Sequence, residues 1–203
     1  MKQVNKWLTW GMVAVIIVAL LGWLIPSYTS IERAIDINTP AAPIYELLIT
    51  PQKNIEWHPM VLEDPASTEI TYEGHHRGEG ATMVWNSDNS SVGSGRMELT
   101  QCVHNKSVRA LITQKGKSPI HTMFILDEFD GYTEVTWHYD TDYGMNPFKH
   151  YLALFSEQLI GPTYEDGLRN LKTIMESLHV EEAELDVELE GDHLVDSLMH
   201  LQD

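Results

Sequence analysis

The order of apolar and polar positions divides this chain into an uncharged N-terminal run, a series of short alternating segments, and an acidic end. Over residues 31–177, alternation predicts strands, and apolar residues three and four positions apart predict a helix near each end of the series. The predicted fold class is therefore α+β, with a curved antiparallel sheet wrapped around a long C-terminal helix. A space between two such layers, lined by inward-pointing apolar side chains, suits a hydrophobic ligand.

The alternating part begins with a strand over residues 31–37. Asn38 or Thr39 is then expected to cap a short helix that has Pro40 in its first turn and ends at Thr50-Pro51. A second helical turn is predicted over 54–58, followed by an irregular stretch. The remaining predicted strands are separated by Gly-, Ser- and Asn-containing turns and cover residues 68–72, 81–85, 97–103, 108–112, 120–126 and 132–139.

The closing helix is predicted to start at Asn146-Pro147, because Pro suits the first position of a helix. Apolar residues recur at helical spacing up to Gly161-Pro162, and the stripe continues from Tyr164 to Leu178. We therefore predict one long helix with a kink at the Gly-Pro pair, the alternative being two helices.

The run from Trp7 to Ile25 holds nineteen residues without a charge, which as a helix would be roughly 28 Å long. Lys2 and Lys6 precede this run, so the positive-inside tendency predicts a cytoplasmic N-terminus and an extracytoplasmic domain at a bacterial-type inner membrane. Residues 7–25 are thus expected to be a single-pass transmembrane anchor. The alternative is a cleaved secretory signal, for which the segment is long and its cleavage site weak.

The last part of the chain, residues 180–203, holds nine Asp or Glu residues and no Lys or Arg, about half of the net charge of −17. The predicted division is therefore a membrane anchor (1–30), one domain (31–179) and an acidic tail (180–203). The tail is either solvated, or it docks on the domain or on a protein partner through its apolar positions.

Composition excludes several functional classes. A net charge of −17 with 13 Lys and Arg residues does not suit a nucleic-acid surface. Cys102 is the single cysteine, so neither an intrachain disulfide nor a cysteine-rich zinc site can form. No phosphate loop, dinucleotide fingerprint or nucleophile elbow is present, and we expect no cofactor and no metal. The pair His75-His76 lies in a predicted loop and is expected to be exposed and unliganded.

Four segments together resemble the START-like helix-grip (SRPBCC) superfamily, in particular its polyketide cyclase/dehydrase-like branch. They are Ile31 to Pro40, Trp57-His58-Pro59, Tyr132 to Trp137, and Leu159 to Pro162 followed by Tyr164 to Leu168. The resemblance covers residues 31–177 and implies the helix-grip fold. It does not fix an activity, because domains of this kind include lipid carriers, cyclases, chaperone cofactors and sensors.

In this superfamily the ligand cavity lies between the concave face of the sheet and the last helix. The resemblance and the alternation together predict ten ligand-binding residues around that cavity: Trp57, Met83, Trp85, Met97, Leu99, Phe124, Val135, Trp137, Tyr151 and Phe155. Each of them fits ordinary core packing about as well as ligand contact. We expect the domain to bind a lipid or other hydrophobic small molecule without transforming it.

The alternative is a cyclase- or dehydrase-type enzyme that uses His or Asp in the same cavity. Such chemistry needs a general base beside a polarising donor. The available candidates are Arg109, His121, His138, Tyr139 and Asp140, which form no recognisable motif. No catalytic residue is assigned on the sequence alone.

Overall fold

The structure is a computed structural model of the chain. It describes the backbone of residues 2–59, 64, 66–89 and 92–199, and the side chains of residues 6–59, 64, 66–89 and 92–178. Predictions for residues 60–63 and 65, and for the side chains of the acidic tail, lie outside this part of the chain.

Within that part, four α-helices, one 3-10 helix and seven strands follow one another. The helices are α1 (Lys2–Gly22), α2 (Ala41–Leu48), the 3-10 helix (Pro51–Glu56), α3 (Pro147–Ala153) and α4 (Ser156–Met199). The strands are β1 (Tyr28–Ile37), β2 (Thr68–Gly74), β3 (Ala81–Ser87), β4 (Gly95–Val103), β5 (Ser107–Gln114), β6 (Ile120–Phe129) and β7 (Tyr132–Asp142).

All seven strands form one antiparallel sheet in the order β1-β7-β6-β5-β4-β3-β2. Because side chains alternate between the two faces of a strand, the cross-strand pairs Met83 with Met97 and Phe124 with Trp137 lie on one face. Helix α4 packs across this inner face and completes the core with Leu168, Leu171 and Met175. The α+β fold and its long closing helix are as predicted.

Two local predictions were wrong. The C-terminal helix breaks at Leu154 and Phe155, between α3 and α4, and continues through Gly161-Pro162. Helix α2 begins after Pro40 without a side-chain cap. The structure also shows a register shift in β4 between Leu99 and Gln101, and Gln101 faces outward because a bulge moves later residues to the opposite face.

Helix α1 contacts the domain at its C-terminal end. His150 of α3 lies with Nδ1 3.0 Å from the Gly22 carbonyl oxygen and Nε2 2.7 Å from the Gly144 carbonyl oxygen. Tyr151 donates its hydroxyl to the Val18 carbonyl at 2.8 Å. Among the described residues, no helix combines the length and hydropathy required to span a membrane.

Two glycines of α4 allow the helix to approach the sheet closely. A Cβ on Gly167 would lie 2.6 Å from the Trp137 ring and 2.9 Å from the Pro59 ring. At Gly161 the close neighbour is the flexible guanidinium end of Arg33. That guanidinium pairs with Glu157 and Glu165, four residues before and after Gly161, so one arginine of β1 joins three turns of α4.

We expect Gly167→Ala to lower the free energy of unfolding by about 1–3 kcal/mol, because a methyl group there overpacks against two rigid rings. Gly161→Ala is the matched control on the same helix, where Arg33 can move aside and the gain in helix propensity, about 1 kcal/mol, offsets the lost contact. Urea denaturation of both variants gives the comparison. Equal effects would mean that contact with Trp137 does not limit the approach of α4.

Candidate functional site

Aromatic rings fill the centre of the space between the sheet and α4. The Trp137 ring lies 4.0 Å from that of Tyr164 and 4.7 Å from that of Phe124, between centroids, and the Trp57 ring lies 5.6 Å from it. The Trp137 indole N–H donates to Thr122 Oγ1 at 2.6 Å, which fixes the orientation of the ring. Tyr139 packs against the edge of Tyr164 at 5.7 Å. We call Trp137, Tyr139 and Tyr164 the aromatic partition.

On one side of the aromatic partition is an inner cavity of about 20 Å³. This volume slightly exceeds the roughly 10–15 Å³ that one water molecule needs. The inner cavity is therefore far too small for a whole lipid molecule. The inner cavity is lined by strand residues of β4 to β7, by α2 and by the end of the 3-10 helix: Leu48, Asn54, Trp57, His58, Met97, Leu99, Val108, Ala110, Ile112, Thr122, Phe124 and Trp137.

Three buried polar atoms among the residues lining the inner cavity have no hydrogen-bond partner: Asn54 Oδ1, Trp57 Nε1 and His58 Nδ1. Burial lowers the pKa of His58 to about 4, because removal from water disfavours the charged imidazolium. His58 is therefore neutral at pH 7. Buried polar groups are hydrogen-bonded in most proteins, so three unpartnered atoms around one small space are unusual.

On the other side of the aromatic partition is an outer pocket of about 240 Å³. It lies where β6 begins and β7 ends, against α3 and the first turns of α4. Its lining is mainly apolar, with two lysines: Gly116, Lys117, Ser118, Ile120, Tyr139, Thr141, Tyr143, Lys149, Leu152, Ser156, Leu159 and Ile160. Burial raises the pKa values of Tyr139 and Tyr164, which keeps both hydroxyl groups protonated at neutral pH.

The structure brings eight of the ten predicted ligand-binding residues to the concave side. Five of them line the inner cavity: Trp57, Met97, Leu99, Phe124 and Trp137. Three others, Met83, Trp85 and Val135, are buried on the same face of the sheet without lining that cavity.

Tyr151 and Phe155 lie elsewhere, which corrects their predicted position. Tyr151 contacts α1, and Phe155 lies in the break between α3 and α4 with 58% of its surface exposed. The reason is the break itself, which turns both residues away from the face that α4 presents to the sheet.

Four of the five catalytic candidates lie on the convex face of the sheet, away from the inner cavity; Tyr139 is the exception. Arg109, His121 and Asp140 line an open cleft on the convex side of the sheet. His138 shares this face and pairs with Glu32 of β1 at 3.4 Å. A cyclase-type reaction inside the domain thus loses these residues, and His58 is the titratable histidine that lines the inner cavity. Its lowered pKa makes it a weak base.

The remaining sequence features fit ordinary structural roles. His75 is exposed, with Nδ1 2.6 Å from the Glu79 carbonyl oxygen. Across the described residues, no group of three or more metal-ligating side chains converges. Cys102 is half-buried, and burial raises the pKa of its thiol to about 11, so it is a poor nucleophile.

Sequence reasoning missed Asn54, His58 and Tyr164 as residues of the site. His58 and Tyr164 belong to the segments that carry the family resemblance, but their side chains read as helix or core positions. The signal that could have singled out His58 is its position directly after Trp57, which was itself predicted to line the cavity. Nothing in the sequence shows that its ring nitrogen is buried without a partner.

The curved sheet gripping one long helix defines the START-like class of protein. The sequence profile of the family described as polyketide cyclase / dehydrase and lipid transport matches residues 28–176. The chain belongs to this family, as its resemblance predicted. No curated protein matches it significantly.

Many solved structures share the fold at low identity. The structure is similar to protein CV1439 from Chromobacterium violaceum, with 14% identity, 73% of this chain and 98% of that chain covered, and a TM-score of 0.50. For norcoclaurine synthase from Thalictrum flavum these values are 8%, 72%, 92% and 0.55. For the di-domain ARO/CYC StfQ from the steffimycin biosynthetic pathway they are 10%, 75%, 52% and 0.54. At such identities these similarities establish the fold alone.

Acid is expected to destabilise the domain through His58. Its pKa is about 4 in the folded state and about 6.5 when unfolded, so the unfolded state takes up a proton first as the pH falls below 6.5. The wild type should lose about 2–3 kcal/mol from this group between pH 7 and pH 4.5. Urea denaturation at both pH values should show a smaller loss for His58→Phe. An identical loss would mean that His58 is hydrated or paired in the folded state.

Proposed function

We propose that this protein binds a lipid or other hydrophobic small molecule between the sheet and α4, without transforming it. The single observation that carries the proposal is the outer pocket, whose 240 Å³ and apolar lining suit part of an acyl chain or a ring system. The family description, which includes lipid transport, supports the same class of ligand. The aromatic partition separates this pocket from the inner cavity, so the ligand enters at the end of the domain next to α3.

Exposed apolar side chains contribute to the lining of the outer pocket. Leu152 on α3 and Leu159 on α4 each expose more than half of their surface. Lys117 and Lys149 are part of the pocket lining. This arrangement supports an amphipathic ligand whose apolar part lies in the pocket.

We also propose that the N-terminal segment tethers the domain to the extracytoplasmic side of a membrane. The uncharged run Trp7 to Ile25 supports this, because the side chains of α1 from Trp7 to Val18 are exposed. Lys2 and Lys6 before the run support a cytoplasmic N-terminus.

Ile160→Trp tests the outer pocket, because Ile160 is a half-buried residue of α4 that lines the pocket, and a larger side chain there fills the space. We expect the full chain to bind the uncharged fluorescent probe N-phenylnaphthylamine, and the variant to bind it about tenfold more weakly, a loss of about 1.4 kcal/mol. Native mass spectrometry of gently extracted protein should likewise show a bound non-protein mass that the variant lacks.

The matched control is Leu178→Trp, the same kind of substitution at an exposed position of the same helix. It should bind the probe like the wild type. No probe binding to the wild type, or equal binding to both variants, would contradict the proposed ligand site.

Cell fractionation tests the tether. The full chain should stay with the membrane after carbonate extraction, and protease added outside the inner membrane should degrade the domain. Replacing Val13 and Ile17 by Asp should release the protein, because each charge in an apolar helix opposes insertion by about 2.5–3.5 kcal/mol. Extraction of the unchanged chain by carbonate would contradict the tether.

A further inference from the structure

Three residues that line the inner cavity carry a buried polar atom without a hydrogen-bond partner. Asn54 Oδ1 is an acceptor, Trp57 Nε1 is a donor, and neutral His58 can act as either at Nδ1, depending on its tautomer. All three residues lie on or directly after the 3-10 helix and line the same small space. An unpartnered buried polar atom costs about as much as its desolvation, so a group that hydrogen-bonds these atoms gains that free energy on binding.

The backbone around these atoms is well held, so the missing bonds are a property of the side chains. The backbone N–H groups of Trp57 and His58 donate to the Asn54 carbonyl at 3.3 and 2.8 Å. The Trp57 carbonyl accepts from Asn170 Nδ2 of α4 at 3.2 Å. The backbone bonds hold this segment in place, so its buried side chains do not reach solvent and their polar atoms stay without a partner among the residues that line the cavity.

Charge and volume limit what such a site can take. The inner cavity has no Lys, Arg, Asp or Glu among its lining residues, and its 20 Å³ admit one small group and not a whole ligand. An ionised group would lose its hydration without gaining a counter-charge. A hydroxyl, ketone or primary amide would gain hydrogen bonds with the donor and acceptor atoms present.

We propose that the inner cavity recognises an uncharged hydrogen-bonding group, such as a hydroxyl, at one end of an otherwise apolar ligand. This inference rests on the proposed function, because the apolar remainder of the ligand occupies the outer pocket. The aromatic partition lies between the two spaces, so Tyr164 has to turn aside for one ligand to occupy both. The family description includes lipid transport and so covers hydrophobic ligands in general. The unpartnered atoms of Asn54, Trp57 and His58 restrict the proposed ligands to those with an uncharged polar end.

Two variants that keep side-chain size but remove the polar atoms, Asn54→Leu and His58→Phe, test the proposal. The full chain is exposed to octanol or to nonane vapour at fixed headspace activity, and binding is followed by intrinsic tryptophan fluorescence, to which the cavity residues Trp57 and Trp137 contribute. We expect each variant to weaken octanol binding about tenfold, because the octanol hydroxyl loses one hydrogen-bond partner in the cavity while it still has to leave water. Nonane binding should remain unchanged.

The stability of the ligand-free chain separates recognition from a structural role. Both variants should melt about 2–4 °C higher than the wild type, since an unsatisfied polar group is replaced by an apolar one. Thr133→Val is the matched control, because its buried hydroxyl donates to the Thr39 carbonyl at 2.7 Å. This control should melt at a lower temperature and bind octanol like the wild type.

The outcomes distinguish the two proposals. If the wild type binds neither octanol nor nonane, the proposed function fails. If it binds both, and the variants bind octanol with unchanged affinity, the polar recognition is overturned while the ligand pocket stands. If Asn54→Leu and His58→Phe melt lower, as Thr133→Val does, these side chains have structural partners and the proposal is also overturned.

Discussion

The contact between Trp137 and Gly167 sets the distance between the two layers of this domain. Because residue 167 has no side chain, α4 approaches until its backbone meets the indole ring, and the bond from Trp137 to Thr122 keeps that ring from turning away. Tyr164, one turn earlier on α4, packs on the same ring. The interior is consequently solid at its centre, and open volume remains where α4 begins.

This contact also explains why an apolar, inward-facing set of residues is not by itself a ligand site. Alternation correctly placed Met83 and Trp85 on the inner face, because a sheet with one buried face requires that period. Whether such residues leave a space depends on how near the covering helix comes, and a glycine decides that distance. The apolar stripe through Tyr151 and Phe155 continues across the break between α3 and α4, so periodicity could not reveal where the helix changes direction.

The fold was predictable because strand alternation, turn residues and a long apolar stripe agree with one another along the chain. The chemistry was not, because it depends on which buried polar atoms find partners in three dimensions. Asn54 and Thr133 are both polar residues that become buried in the fold. The hydroxyl of Thr133 has a carbonyl partner there, whereas Asn54 Oδ1 has none. The candidate catalytic residues Arg109 and His121 show the same limit, since only the strand register places them on the convex face.

Helix α3 has two neighbours at once. Its residues His150 and Tyr151 hold the carbonyl end of α1, and Lys149 and Leu152 beside them form part of the wall of the outer pocket. The seven residues of α3 therefore both hold α1 on the domain and form one side of the outer pocket. Because the same short helix contacts α1 and lines the outer pocket, a change in the tilt of α1 against the domain would move Lys149 and Leu152 and alter the shape of that pocket.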